Sequence, residues 1–289
     1  MAEVVVCGPA SWNLIVNVDA LPVAEPHMQF ATSSYETVGG TSAGKALHLV
    51  ALGRSVLLHT VLGTDEPGRC IESSLAAAGV PLSLDVVPGP SERHLNLMDP
   101  DGRRVSIYLD VPRVADLQPS EGLTSALLGA RAIVVDLADR SRELLDLAAS
   151  APAPIWTDVH DYDGSAAFHQ PWIDRASYVF MNDDGLPQPL EFMHSTVDRG
   201  PARLVVCTLG KRGAVAVDAD HRVYETGAVP VPEVVDTNGA GDAFMSGCLA
   251  AVLDGADVPA ALTAGAAQAS TALSTRHLSP LLQTAPDGT

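Results

Sequence analysis

Seven short, largely apolar and β-branched runs limit what this chain can become. They are Val4–Cys7, Val56–Val61, Ala132–Val135, Pro154–Asp158, Tyr178–Met181, Leu204–Thr208 and Ala214–Val217. A strand without a polar face must be covered on both sides, as strands are in parallel sheets flanked by helices. Alanine- and leucine-rich stretches of helical period alternate with these runs, at Ala43–Leu52, Arg69–Ala78, Arg140–Ala149, Asp242–Leu253 and Val258–Thr275. Gly53 and Gly79 stand where the first two should stop, as left-handed caps. The alternation predicts an α/β chain with a central, mostly parallel sheet between helical layers.

Two regions break the rhythm. Leu14–Val18 with Gln29–Val38, and His94–Met98 with Arg104–Leu109, alternate polar and apolar residues. Between the latter two, Asp99-Pro100-Asp101-Gly102 is a turn sequence. Alternation means one wet face, so these segments predict a small antiparallel sheet standing off the body as a lid over a cleft. His94 and Asn96 share one face of it, with Arg104 on the hairpin partner. No repeat, low-complexity tract or linker interrupts the chain. The expectation is one domain over 1–289, with lid segments at about 14–38 and 93–110.

Of the 289 residues 47% are apolar but only 4% aromatic, so the core must be aliphatic and disorder is excluded. Lys plus Arg number 17 and Asp plus Glu 35, giving 17 − 35 = −18. That balance argues against nucleic acid or an anionic membrane as partner. It leaves open a small anion held by a few backbone N–H groups. Cys7, Cys70, Cys207 and Cys248 are far apart with no C-x-x-C, and read as small buried hydrophobes. Met1–Cys7 begins like a strand rather than a secretory leader, and no apolar run approaches the ~20 residues of a membrane helix. A reducing cytoplasm is the expected location.

The chemistry concentrates in Asp236-Thr237-Asn238-Gly239-Ala240-Gly241-Asp242, a glycine-rich turn that feeds an apolar helix. Free N–H groups at Gly239 to Asp242 would converge on a helix N-terminus, where the macrodipole favours an anion. A carboxylate in that first turn lies beside whatever phosphate is held there. The pairing suits phosphoryl transfer, with N–H groups stabilising the transferring group while Asp242 takes the proton of an attacking hydroxyl. Asp242 as a mere N-cap would not need the small residues around it.

This segment resembles the C-terminal motif of the ribokinase-like, or PfkB, family of carbohydrate and nucleoside kinases. Thr208-Leu209-Gly210-Lys211-Arg212-Gly213 resembles the family's nucleotide segment. Gly39-Gly40 with the following helix resembles its sugar-side motif, Gly8–Pro22 its opening strand and first lid segment, and Asn182 the first residue of its N-x-x-E motif. The resemblance implies an α/β/α sandwich with a β-sheet lid, and an enzyme that moves a phosphoryl group from ATP to a primary hydroxyl of a sugar-like acceptor, with Mg2+. It makes Asp242 the base and Gly239, Ala240 and Gly241 the anion hole. Asn182, Thr208, Gly210, Gly213, Asn238, Gly239 and Gly241 would line the ATP side. Asn13, Gly39, Gly40, Thr41, Asn96 and Asp242 would meet the acceptor, with the glycines admitting it close to the backbone. Asp236 and Thr237 fall where members hold a monovalent cation, usually K+. A homodimer through the lid is also implied.

Three positions depart from the family pattern. Asn13 stands where aspartate is common, Gly39-Gly40-Thr41-Ser42-Ala43-Gly44 replaces G-G-K-G-A-N, and Asn182-Asp183-Asp184-Gly185 lacks the glutamate. These positions read the acceptor, so its identity does not carry over, and a nucleoside is an alternative to a sugar. Other readings compete. Gly40-Thr41-Ser42-Ala43-Gly44 fits the G-x-S-x-G elbow of serine hydrolases, with His277 and Asp254 or Asp257 as partners. Gly39-x4-Gly44-Lys45-Ala46 nearly fits a P-loop but lacks the final hydroxyl. A non-catalytic binding protein would explain the departures but not the retention of Asp242. His160-Asp161-Tyr162-Asp163-Gly164 reads either as a cleft loop or as a plain turn.

Overall fold

The computed structural model describes residues 2–114, 117–186 and 188–284. The elements begin β1 (Val4–Cys7), β2 (Ser11–Asn17), β3 (Ser33–Gly39), α1 (Thr41–Ala51), β4 (Val56–Gly63), α2 (Glu66–Ala77), β5 (Leu82–Val87), β6 (Arg93–Met98) and β7 (Arg104–Asp110). There follow α3 (Glu121–Gly129), β8 (Ala132–Val135), α4 (Asp139–Ser150), β9 (Ile155–Asp158), α5 (Gln170–Ile173), β10 (Tyr178–Asn182) and α6 (Pro189–Arg199). The chain continues through β11 (Leu204–Thr208), β12 (Ala214–Asp218), β13 (Val223–Thr226), α7 (Ala240–Leu253) and α8 (Val258–Ala272).

The main sheet runs β13-β12-β11-β10-β9-β8-β1-β4-β5, with only β12 reversed. Its central strand shows why the sequence makes three layers. Val4 and Val6 point into one core with Leu47 and Leu49 of α1, Leu75 of α2, Met245 and Leu249 of α7 and Leu262 of α8. Val5 and Cys7 point into the other, with Leu127 of α3, Leu144 of α4, Trp172 of α5 and Met193 of α6. All four β1 side chains are fully buried, as an all-apolar strand requires.

Elements at the edges and outer layer escape the sequence reading. β5 and β13 are edge strands whose residues are mostly half-buried or exposed, so they carry no continuous apolar run. α3, α5 and α6 each bury only two residues, too few to set a helical period.

The lid is a separate sheet in the order β3-β2-β6-β7. It is mixed, not antiparallel as expected. β2 pairs antiparallel with β3 and β6 with β7, but β2 and β6 run parallel, from Trp12 opposite Arg93 to Asn17 opposite Met98. Two hairpins from distant parts of the chain are thus joined along one seam. β3 also starts later than predicted, at Ser33; Met28 and Phe30, in the connection before it, are almost wholly exposed. The cleft under the lid opens at the carboxyl ends of β1, β8 and β9. There the strand order switches direction around β1, the position where α/β sheets bind ligands.

Candidate active site

α7 begins at Ala240, and Gly239 before it has a left-handed backbone (φ 77°), which swings the turn around to expose its N–H groups. Asp236 closes that turn. Its carboxylate accepts the Asn238 N–H (2.8 Å) and side-chain amide (3.1 Å). Among the described residues, the N–H groups of Gly239, Gly241 and Asp242 have no partner, while that of Ala240 makes a long 3.4 Å bond to the Thr237 carbonyl. The free donors sit at the positive end of a fourteen-residue helix, a place for an anion.

Asp242 lies one turn in, only 7% exposed. Its Oδ1 accepts a 2.7 Å bond from Lys45 Nζ, and that lysine is the residue sequence reasoning missed. Lys45 projects from α1 with 1% exposure. Its ammonium also lies 3.1 Å from Asp136 Oδ1, just beyond β8, and 3.6 Å from Asp158 Oδ2, the last residue of β9. Asp136 Oδ2 accepts from Ser42 Oγ at 2.7 Å. Burial pushes the Asp242 carboxyl up; Lys45 pulls it down and Asp158 pushes it up again, leaving it at about 6. Burial alone would lower the Lys45 ammonium, but Asp136, Asp242 and Asp158 hold it above its ordinary value. A signal for this cluster existed: one lysine in an otherwise apolar helix, and an aspartate at the carboxyl end of two apolar strands.

A cavity of about 1230 Å³ spreads from Asp242 beneath the lid. It is bordered by the expected Asn13, Gly40, Thr41, Asn96, Asp236, Thr237, Asn238, Gly239 and Asp242. Thr41 Oγ1 and Asn96 Oδ1 are buried there with no hydrogen-bond partner. Asn13 Oδ1 accepts from Ser11 Oγ (2.7 Å). Gly39 does not reach the cavity: a Cβ on it would meet Asn13 Nδ2 at 2.0 Å, and one on Gly40 would meet the Pro9 carbonyl at 2.5 Å. Both glycines therefore allow close packing, of Asn13 against Gly39 and of the Pro9 carbonyl against Gly40, while Gly40 also borders the cavity. Gly44 leaves room for Asp242, because a Cβ there would lie 2.8 Å from Asp242 Oδ2.

Asn182, Thr208, Gly210 and Gly213 lie outside that cavity, at the carboxyl ends of β10 and β11 and in the turn beyond. An Arg212–Asp183 ion pair ties the two strand ends together. Above the site, Arg104 of the lid donates to Asn238 Oδ1 (2.5 Å), and Tyr35 donates to the Arg276 carbonyl (2.7 Å). The lid thus meets the anion-binding turn directly.

The rival motifs dissolve in the structure. Ser42 is wholly buried inside α1 with its hydroxyl given to Asp136, so it is no nucleophile elbow. His277 instead pairs with Thr37 (2.8 Å), and Asp254 with Arg54. Lys45 faces carboxylates, not a phosphate cradle. His160 and Asp161 do border the cavity, while Asp163 makes a turn by accepting the N–H groups of Ser165 and Ala166.

Residues 1–285 match the family described as pfkB family carbohydrate kinase. An acarbose 7(IV)-phosphotransferase from Actinoplanes sp. is 32% identical over 268 residues, 91% of this chain and 89% of that protein. A ribokinase from Bacillus subtilis is 27% identical over 278 residues, with coverage of 91% and 89%. Among solved structures, the microbiome-derived acarbose kinase Mak1 superposes with a TM-score of 0.84 at 31% identity, covering 95% of this chain and 93% of its own. An Arabidopsis thaliana ribokinase complexed with ribose and ATP shares the fold, with a TM-score of 0.77 at 20% identity and coverage of 96% and 94%.

Proposed function

The chain belongs to the pfkB family of carbohydrate kinases and is an ATP-dependent phosphotransferase, and we propose that its acceptor is a sugar larger than one ring, phosphorylated on a primary hydroxyl. The observation that carries this is the cavity leading to Asp242. At about 1230 Å³ it greatly exceeds a monosaccharide, and it is bordered by Tyr108 of the lid and by Phe168 and His160 of the body. The similarity to acarbose kinases points the same way.

Chemically, the acceptor hydroxyl comes to Asp242 with its oxygen facing the γ-phosphate, which is held at the free N–H groups of Gly239, Gly241 and Asp242. Its proton passes to the carboxylate as its oxygen bonds to the γ-phosphorus and the bond to ADP breaks. The N–H groups stabilise charge on the moving phosphoryl group, and the lid excludes water that would otherwise take the acceptor's place. Thr41 Oγ1 and Asn96 Oδ1, both unpartnered, hold acceptor hydroxyls. Thr208, Gly210 and Gly213 line the nucleotide. Mg2+ favours oxygen ligands and keeps much of its water, so it needs only one or two carboxylates from the chain; Asp184 at the cavity edge and Asn182 would hold it. When bound, it screens the phosphate charge. The Asp236 carboxylate is spent within its own turn, so K+ at Asp236–Thr237 would rest on backbone oxygens. Comparing turnover in potassium and tetramethylammonium chloride tests that.

A second copy of the chain would pack on the lid's outer face. Arg104, Ser106 and Tyr108 border the cavity, so Val105, Ile107 and Leu109 point outward, and all three are exposed. Light scattering on the wild type and Ile107→Asp checks this.

The deciding assay is ADP release with MgATP over monosaccharides, tri- and tetrasaccharides, and nucleosides, with Asp242→Asn in parallel. Turnover with oligosaccharides, lost in the variant, is expected. Preference for a nucleoside would overturn the acceptor class and leave the phosphotransferase standing.

A further inference from the structure

We propose that Lys45 is the positioning residue of the phosphotransfer base: it fixes Asp242 through Oδ1, leaves Oδ2 for the acceptor, and offsets the negative charge that Asp136 and Asp158 place around it. The inference rests on the reading of Asp242 as base.

Four elements bring charge to this point. α1 supplies Lys45 and the neutral Ser42, the ends of β8 and β9 supply Asp136 and Asp158, and α7 supplies Asp242. All four charged groups are buried or nearly so. One positive and three negative charges leave the cluster at −2. Without Lys45 it would stand at −3 in a poorly solvated pocket, and protonating Asp242 would be the cheapest relief. A protonated carboxyl cannot accept the acceptor's proton.

The contacts are unequal in a telling way. Lys45 makes its short, well-aligned bond to Asp242. Asp136 Oδ1, though 3.1 Å away, is off hydrogen-bond geometry and has no other partner. The ammonium is aimed at the base and feels the other two carboxylates mainly as charge. Gly44 completes the device, since any side chain there would crowd Oδ2, the oxygen Lys45 leaves free. Gly44, a departure from the family pattern, and the lysine that follows it therefore work together: the glycine makes room for the base and the lysine holds it.

The test is the pH dependence of kcat/KM with MgATP and the best acceptor. Above its raised pKa Asp242 is ionised, so wild-type turnover should climb as pH rises through about 6 and level off beyond it. Asp136→Asn leaves the cluster at −1 and should move that limb down. Lys45→Met/Asp136→Asn carries the wild-type net charge, so charge alone does not prevent folding. Relative to Asp136→Asn its limb should move up by about one unit or more, with turnover on the acid side of the limb lower by about tenfold and most of the loss recovered by pH 8.5. Lys45→Met alone should move the limb further. Coincident limbs for the double variant and Asp136→Asn would overturn the proposal even if turnover fell, since a merely structural lysine lowers activity without moving the profile. A protonated-carboxyl infrared band, absent in Asp242→Asn, gives the same titration without an acceptor. A wild type silent in the ADP assay would break the reading of the base, whereas an active wild type with unmoved limbs would break only this inference.

Discussion

The two ends of the active site are built in opposite ways. In the proposed reaction the phosphate end is local: Asp236 to Asp242 supplies the turn, the free N–H groups and the base within seven consecutive residues. The acceptor end is assembled from afar, with Asn13 and Asn96 from two lid hairpins, Lys45 from α1, and Asp136 and Asp158 from strand ends. A local construction announces itself in sequence because spacing fixes geometry. A distributed one does not, because only the fold brings its parts together.

Asp242→Asn strikes where the two ends meet and should have the largest effect. Turnover should fall by about 10²- to 10⁴-fold with ATP affinity kept, as titration calorimetry would show. The same change should raise the melting temperature at pH 8. A carboxyl whose folded pKa lies above its unfolded value favours folding while protonated, and that benefit is lost as pH rises through about 6. Asparagine never ionises, so its advantage should fade at pH 5. Equal melting at both pH values would mean that the cluster neutralises Asp242 better than its burial suggests.

Gly44→Ala probes the acceptor end's hold on the phosphate end. Its Cβ would press on Asp242 Oδ2, and a base displaced by even a fraction of an ångström should cost up to about a hundredfold in kcat, with the KM for ATP unmoved. Unchanged kcat would show that α1 yields and that the ends are mechanically independent.

How much could be read in advance follows the same division. β1, β8 and β11 could be bounded to the residue because their apolar runs are buried on both faces. Asp242 and its turn were legible for the reason just given. Lys45 was visible but read only as part of a failed P-loop, since nothing in sequence says that Asp136 and Asp158 will converge on it. The parallel seam between β2 and β6 was equally hidden, because alternation reveals which face of a strand is wet but not the direction of its neighbour. The resemblance placed Gly39 on the acceptor side, but its close packing against Asn13 could not be read from sequence, because the partner lies on another strand.

Smaller effects belong to the acceptor end alone. Asn96→Ala removes one unpartnered acceptor atom and should raise the sugar KM by about three- to tenfold at nearly constant kcat. A fall in kcat instead would place Asn96 in contact with the reacting hydroxyl. Arg104→Ala breaks an exposed bond between lid and turn and should change kcat/KM by only about two- to threefold in steady-state kinetics. A much larger loss would make Arg104 part of the phosphate end.

The seam in the lid has a consequence for the order in which the molecule matures. Trp12 must find Arg93, so β3, α1, β4, α2 and β5 have to be synthesised between them. Contacts of such long sequence separation are slow to form and close late. The main sheet has a longer closure of its own, Val4 opposite Ala132, so β1 still waits for β8 after both lid hairpins have been made. All four lid strands precede Asp236 to Asp242 in the chain, so a nascent molecule possesses its roof before the turn and carboxylate that the roof covers, and competence to transfer a phosphoryl group would be the last property acquired.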